Sequence, residues 1–220
     1  AMFAGLGGVE DWRIRANDLN YARLNMYDLR MALSDGSYLD RDELAAALAD
    51  IPGVARSEAR LVTPTLVDAS DGGEALVVRG EIVGVDVSDG GPHVSSLYVK
   101  EGDGRTLTEA DSGQPVAVVE YHFADYYDLE PGDPIRISGD VALDYAGTGF
   151  SPEYFMIIPE TGMYFGESSF AVIFLPLETA QQLAGREGLV NDMAFILTED
   201  ADSASVQAAI EARMEGAFPA

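Results

Sequence analysis

Residues 104–139 constrain this chain most, because turn and apolar signals follow one another there at spacings that leave few choices. A polar lead-in, Gly104-Arg105-Thr106-Leu107-Thr108-Glu109-Ala110-Asp111, precedes Val116 to Val119, an apolar run suited to a buried strand. Tyr121, Ala124, Tyr127 and Leu129 then recur at a spacing that puts them on one side of a short amphipathic segment. Glu130-Pro131-Gly132-Asp133 suits a type II turn, since proline fixes φ at its first central position and glycine supplies the positive φ of the second. Pro134 to Ser138 is the next strand. No residue in the stretch resembles a catalyst. It provides a rigid frame of strand, helix and turn.

On the N-terminal side, residues 1–20 read as a tether, with a helix expected from Val9 to Leu19. Tyr27, Leu29, Met31 and Leu33 alternate with polar or small residues, the period of a half-buried strand. Asp40, with Glu43 three residues on, predicts a capped helix from Arg41 that buries Leu44, Leu48 and Ile51 and stops at Pro52-Gly53. Val54 to Val67 is extended, with Pro64 at an edge or bulge. This makes a β-α-β unit. Strands are then expected at Ala75 to Val78, Ile82 to Val87, Val94 to Val99, Val141 to Leu143 and Tyr154 to Ile158. Gly147, Gly149 and Pro152 predict an exposed, mobile connection over 144–167.

The α/β pattern returns at Phe170 to Leu175, a run suited to a central strand, followed by Pro176 where a first helical turn tolerates proline. Leu177, Ala180 and Ala184 share a helical face, Met193 to Leu197 is a strand, and Glu199 to Asp202 caps a last helix that buries Val206, Ile210 and Met214. The fold class is therefore α+β with two lobes. Residues 21–80 and 166–220 form an α/β lobe (β-α-β and β-α-β-α), and residues 81–165 form a β-rich inserted lobe.

The chain has 38 acidic and 13 basic residues, a formal charge of −25, which argues against nucleic acid or an anionic membrane surface as a partner. Such a charge serves solubility or a salty milieu, or attracts a cationic partner. With no cysteine among its 220 residues, the chain has no disulfide, thiolate metal site or cysteine nucleophile. The two histidines, His93 and His122, lack the spacing of a metal motif, and no Gly-x-Ser-x-Gly elbow accompanies them. Asp200 and Asp202 alternate like calcium ligands without the rest of a calcium loop, so helix capping accounts for them better. Neither catalytic nor metal-binding residues are expected. The mid-chain aromatics supply either a small core or a contact surface, for which the candidates are Tyr145, Phe150, Tyr154, Phe155, Tyr164 and Phe165.

The 104–111 lead-in, the 116–119 strand, Ala124 and the Leu129-Glu130-Pro131-Gly132-Asp133-Pro134-Ile135 turn occur in a particular order. They are followed by Ser151-Pro152-Glu153-Tyr154, Phe174-Leu175-Pro176-Leu177-Glu178-Thr179-Ala180 and Asn191-Asp192. This series resembles the extracytoplasmic MacB-like core domain of FtsX-type ABC transporter permeases. The resemblance implies a non-enzymatic domain outside the cell membrane, joined through flanking membrane helices to a cytoplasmic ABC ATPase that binds the ATP. It needs no cofactor of its own. It also implies a second permease copy or paralogue, and a lipid, lipoprotein, peptide or cell-wall enzyme as substrate or partner. The residues alone leave two alternatives open, a secreted acidic hydrolase and a soluble ligand-binding module.

Overall fold

The computed structural model describes residues 23–70, 76–154 and 169–218. Among them the strands are β1 (Leu29–Ala32), β2 (Leu39–Asp40), β3 (Val54–Asp68), β4 (Val77–Val85), β5 (Tyr98–Gly104), β6 (Val116–Glu120), β7 (Pro134–Ile137), β8 (Val141–Phe150), β9 (Phe170–Pro176), β10 (Leu189–Val190) and β11 (Asp192–Leu197). The helices are α1 (Arg41–Ala47), α2 (Tyr121–Tyr126), α3 (Leu177–Ala184) and α4 (Ser203–Ala217). The expected 9–19 helix, the Tyr154 to Ile158 strand beyond its first residue, and Phe155, Tyr164 and Phe165 lie outside the described residues.

Nine of these strands form one sheet, in the order β1-β11-β3-β4-β9-β6-β8-β5, with β7 bridging β3 and β8. β1 and β3 each pair antiparallel with β11, so the two strands of the N-terminal β-α-β unit run parallel with a C-terminal strand between them. β9 is parallel to β4 and antiparallel to β6, which places the apolar 170–175 run at the centre, as its composition predicts. The expected boundary at residue 80 falls inside β4, and hydrogen bonding continues through it.

Alternation sorts side chains onto two faces. Ala171, Ile173 and Leu175 of β9 join Leu44, Phe123, Leu177, Val206 and Ile210 in the larger core, so α1 to α4 cover one face. Val172 and Phe174 join Val83, Val85, Leu107 and Val118 on the other face. The caps are those the sequence predicts. Asp40 accepts from the backbone N–H of Asp42 and Glu43, each at 3.0 Å, and Asp202 caps α4 through Ser205 N–H at 3.0 Å. α1 ends at Ala47, ahead of Pro52-Gly53, yet Leu48 and Ile51 remain buried.

Pro64 lies at a local edge. Asn191 extends β11 by exchanging two 2.8 Å bonds with the Val62 backbone, Ser138 takes up Leu66 N–H at 2.8 Å, and exposed Pro64 stands between them. The proline therefore occurs where no second strand asks for its missing N–H.

Four expectations need correction. In place of the two strands expected at 75–78 and 82–87 there is one, β4 (Val77–Val85), with Ala75 outside the described residues. Gly80 interrupts the apolar run without breaking the strand, because a Cβ there would lie 2.4 Å from the Ala171 carbonyl oxygen; this glycine admits a neighbouring strand. Likewise Asp144 to Phe150 belong to β8 and not to a loose connection, since Gly147 and Gly149 face close neighbours. β5 begins at Tyr98 and not Val94; Ser95 takes φ 50° and, with Ser96, donates backbone bonds to Asn25 and Leu24, which leads the chain off a strand path. In α2 the buried pair is Phe123 and Ala124, with Tyr121 exposed.

The 104–111 lead-in is a clamp. Arg105 donates to both carboxylate oxygens of Asp111, at 2.7 and 2.8 Å, while Asp111 also receives the Thr108 N–H at 2.8 Å. The Arg105 hydrogen bond holds the Asp111 carboxyl below its usual range, with Thr108 assisting. A carboxylate with a depressed folded pKa contributes stability above its unfolded value, about pH 4, and loses it as the pH falls through the folded value. Asp111→Asn is therefore expected to be less stable than wild type at pH 7. Urea midpoints of the two proteins should converge as the pH drops below about 4. A constant gap across that range would mean that the carboxylate charge contributes nothing.

Candidate functional site

The end of the sheet formed by β8 and β5 carries a groove. Two hollows of about 690 and 420 Å³ share Asp103, Tyr121 and Thr148 and so form one channel. One wall is the start of α2. Glu120, fully buried, caps that helix by accepting from His122 N–H at 2.8 Å, and its other oxygen lies 2.7 Å from His122 Nδ1. The fixed imidazole sits between two aromatic rings, Tyr121 at 5.5 Å and Phe150 at 6.1 Å. A buried carboxylate thus orients the aromatic wall, and His122 is a support for that wall.

Charge is distributed unevenly along the groove. Asp125, Asp128 and Glu130 line one end, and Arg23 and Lys100 line the other. Among the described residues, none of these three carboxylates is in an ion pair. The Pro131-Gly132 turn closes the acidic end with Gly132 at φ 105° and Asp133 N–H donating to the Glu130 carbonyl at 3.2 Å, the turn the sequence predicts. Tyr98, 46% exposed, and Tyr121, 41% exposed, present aromatic surface to solvent. Pairing of β5 with β8 is interrupted between Val99 and Gly104, so the intervening residues have no opposite number on β8.

The expected contact residues separate. Phe150 lines the groove. Tyr145 is buried in the larger core, its hydroxyl 2.5 Å from Thr148 Oγ1. Tyr154 packs edge-on against Phe174 on the opposite face of the sheet and donates to Glu81 at 2.6 Å. Tyr98 was not distinguished by sequence; the signal available was an aromatic at the outer end of an apolar run beside Lys100 and Glu101.

Tyr154 belongs to a second polar cluster, on the sheet face away from the helices. Alternation puts Arg30, Glu58, Arg60, Glu81 and Asp192 on that face. Arg60 Nε donates to Asp192 at 2.8 Å, Arg60 also pairs with Glu153, and Arg30 donates to Asp192 at 2.6 Å. Burial raises the Glu81 carboxyl and, with Glu81 and Glu153 nearby, pushes the Tyr154 phenol well up, so Tyr154 remains a hydrogen-bond donor. Glu58 accepts from His93 N–H at 2.9 Å and Val94 N–H at 2.8 Å, and burial raises its carboxyl as well. Among the described residues, no three His, Asp or Glu side chains are grouped to hold a metal.

The family profile described as MacB-like periplasmic core domain matches residues 9–213. Similar solved structures include the following two. One is the periplasmic region of MacB from Actinobacillus actinomycetemcomitans, at 12% identity and a TM-score of 0.55, covering 85% of this chain and 81% of that one. The other is the extracellular domain of the noncanonic ABC-type transporter YknZ from Gram-positive bacteria, at 14% identity and a TM-score of 0.52, covering 82% and 86%. At these identities the structures bear on fold. No curated protein matches the sequence.

Proposed function

The chain belongs to the MacB-like periplasmic core domain family of ABC-type transporter permeases, and from that premise we propose that it is a non-enzymatic domain held outside the cell membrane. It couples ATP hydrolysis on a cytoplasmic ABC ATPase to the movement or recognition of a substrate or partner. Residues 1–20 tether it, residues 21–80 and 166–220 lie nearer the membrane, and residues 81–165 project outward. A second permease copy or paralogue completes the assembly. ATP binds the ATPase, and the domain itself carries no cofactor.

The observation that carries this reading is the family match over residues 9–213. The sheet adds a mechanical argument. β1 and α4, the first strand and the last helix, line one hollow at one edge, and the groove lies at the other. Eight strands at about 4.8 Å spacing put roughly 30–35 Å between those edges. Because backbone hydrogen bonds connect each strand to the next, displacement at the β1 edge moves the groove with it. No helix among the described residues is long and apolar enough to cross a membrane.

The test uses the native full-length polypeptide. It should sediment with membranes, expose this domain to protease added outside intact spheroplasts, and co-purify with an ATPase subunit. Recovery in the soluble cytoplasmic fraction would overturn the proposal. Protection from external protease would contradict the orientation.

A further inference from the structure

We propose that the groove between α2 and β5 binds an extended, basic peptide segment of a partner protein. This rests on the reading of the domain as a recognition module, and it specifies what is recognised. Three independent features determine the chemistry. Asp125, Asp128 and Glu130 are exposed along one end of the channel and are in no ion pair among the described residues, so that end is complementary to Lys or Arg side chains. Arg23 and Lys100 occupy the other end, so the groove has a polarity and the basic residues of an occupant lie at the α2 end.

The second feature is aromatic. Tyr121, held through His122 and buried Glu120, presents a ring at the point where the two hollows meet, and Tyr98 lies along the second. The Tyr121 ring, beside the carboxylates, suits the apolar stem and cationic head of a long basic side chain. Tyr98, with the Arg23 guanidinium 6.0 Å from its ring centroid, instead offers apolar contact at the basic end.

The third feature favours a peptide over a small organic cation. Among the described residues β5 is the last strand of the sheet, and between Val99 and Gly104 its pairing with β8 lapses. Backbone groups of this outer segment are thus placed at the channel rim, where an extended chain can add main-chain hydrogen bonds. The two hollows, about 690 and 420 Å³, adjoin at Asp103, Tyr121 and Thr148 and together give more room than a small cation fills.

The test is fluorescence polarisation on this 220-residue chain with a labelled peptide of about ten residues alternating Lys and Val. The comparison probes are the same peptide with Glu for Lys, and spermine as a competitor. Saturable binding of the basic peptide is expected, with no saturation by the acidic one. The variant D125N/D128N/E130Q should weaken it at least about tenfold, and Tyr121→Ala by about fivefold. The variant E199Q/D200N/E215Q removes the same charge from exposed positions elsewhere and should change it less than about twofold. Equal losses in both triple variants would mean that the overall charge of −25 does the attracting, and the groove assignment fails. Displacement by spermine at concentrations comparable to the peptide would replace the peptide with a small cation, and absence of saturable binding overturns the proposal outright. A membrane-embedded permease with an inert groove refutes this inference alone. A groove that binds in a polypeptide found free in the cytoplasm refutes the reading it rests on.

Discussion

Arg60→Ala is expected to destabilise the domain by roughly 3–5 kcal/mol, the cost of removing one partner from a buried ionic cluster. The Arg60 side chain is 3% exposed and lies between Asp192, 2% exposed, and Glu153, 4% exposed. Truncation leaves Glu153 buried without its cation and Asp192 with Arg30 alone. The cluster also joins three regions of the chain, β3, β11 and the 152–154 turn. The same pair of charges is a weak source of net stability, because desolvation offsets much of their attraction. The variant R60M/E153Q, which keeps the Arg30–Asp192 pair, should therefore lose less than Arg60→Ala alone. Urea midpoints at constant m-value measure both. A loss under about 1 kcal/mol for Arg60→Ala would show that the cluster is hydrated and behaves as a surface pair.

Gly147→Ala should cost roughly 3 kcal/mol, the upper range for an overpacked site. Gly147 does not have a positive φ, so its backbone conformation suits any residue; contact is the obstacle. An added Cβ would meet the Arg105 carbonyl oxygen at 2.5 Å and the Arg105 nitrogen at 2.8 Å, and neither can yield without moving the strand. Gly149→Ala offers a contrast. Its Cβ would lie 2.4 Å from Val118 Cγ1, a side-chain atom, with the next neighbour at 3.8 Å. Val118→Ala removes that methyl, so the double variant V118A/G149A should be more stable than the sum of the single losses predicts, by about 1 kcal/mol or more. Gly147→Ala should gain no such relief from Val118→Ala. Thermal denaturation of wild type, the three single variants and the two double variants decides the matter; additive losses at 118 and 149 would place the clash elsewhere.

The residues that sequence read correctly share a property. Asp40 and Asp202 cap helices through N–H groups two or three positions away, Gly132 supplies the positive φ its own turn requires, and Leu44, Leu48 and Ile51 turn one face inward. In the groove, Phe150 was legible as an aromatic of the mid-chain cluster, whereas Tyr98 and the acidic residues were not, since aromatics and acids are common along this chain. What selects them is that β5, α2 and the 130–133 turn meet at one end of the sheet.

The sequence by itself determined the local structure: the caps, the type II turn and the alternation of strands. These depend on backbone sterics and hydrogen bonds among near neighbours, which are the same wherever the segment is placed. Only the tertiary structure decided which glycines end a strand and which admit a neighbouring one. Gly147 and Gly149 read as breakers until Arg105 and Val118 lie against them. It also decided that Arg30, Glu58, Arg60, Glu81 and Asp192, scattered over four strands, share one face, and that Tyr145 and Tyr154 lie on opposite sides of the sheet from each other. Both outcomes depend on which distant strand lies alongside, and that is settled by the packing of the whole sheet against its helices.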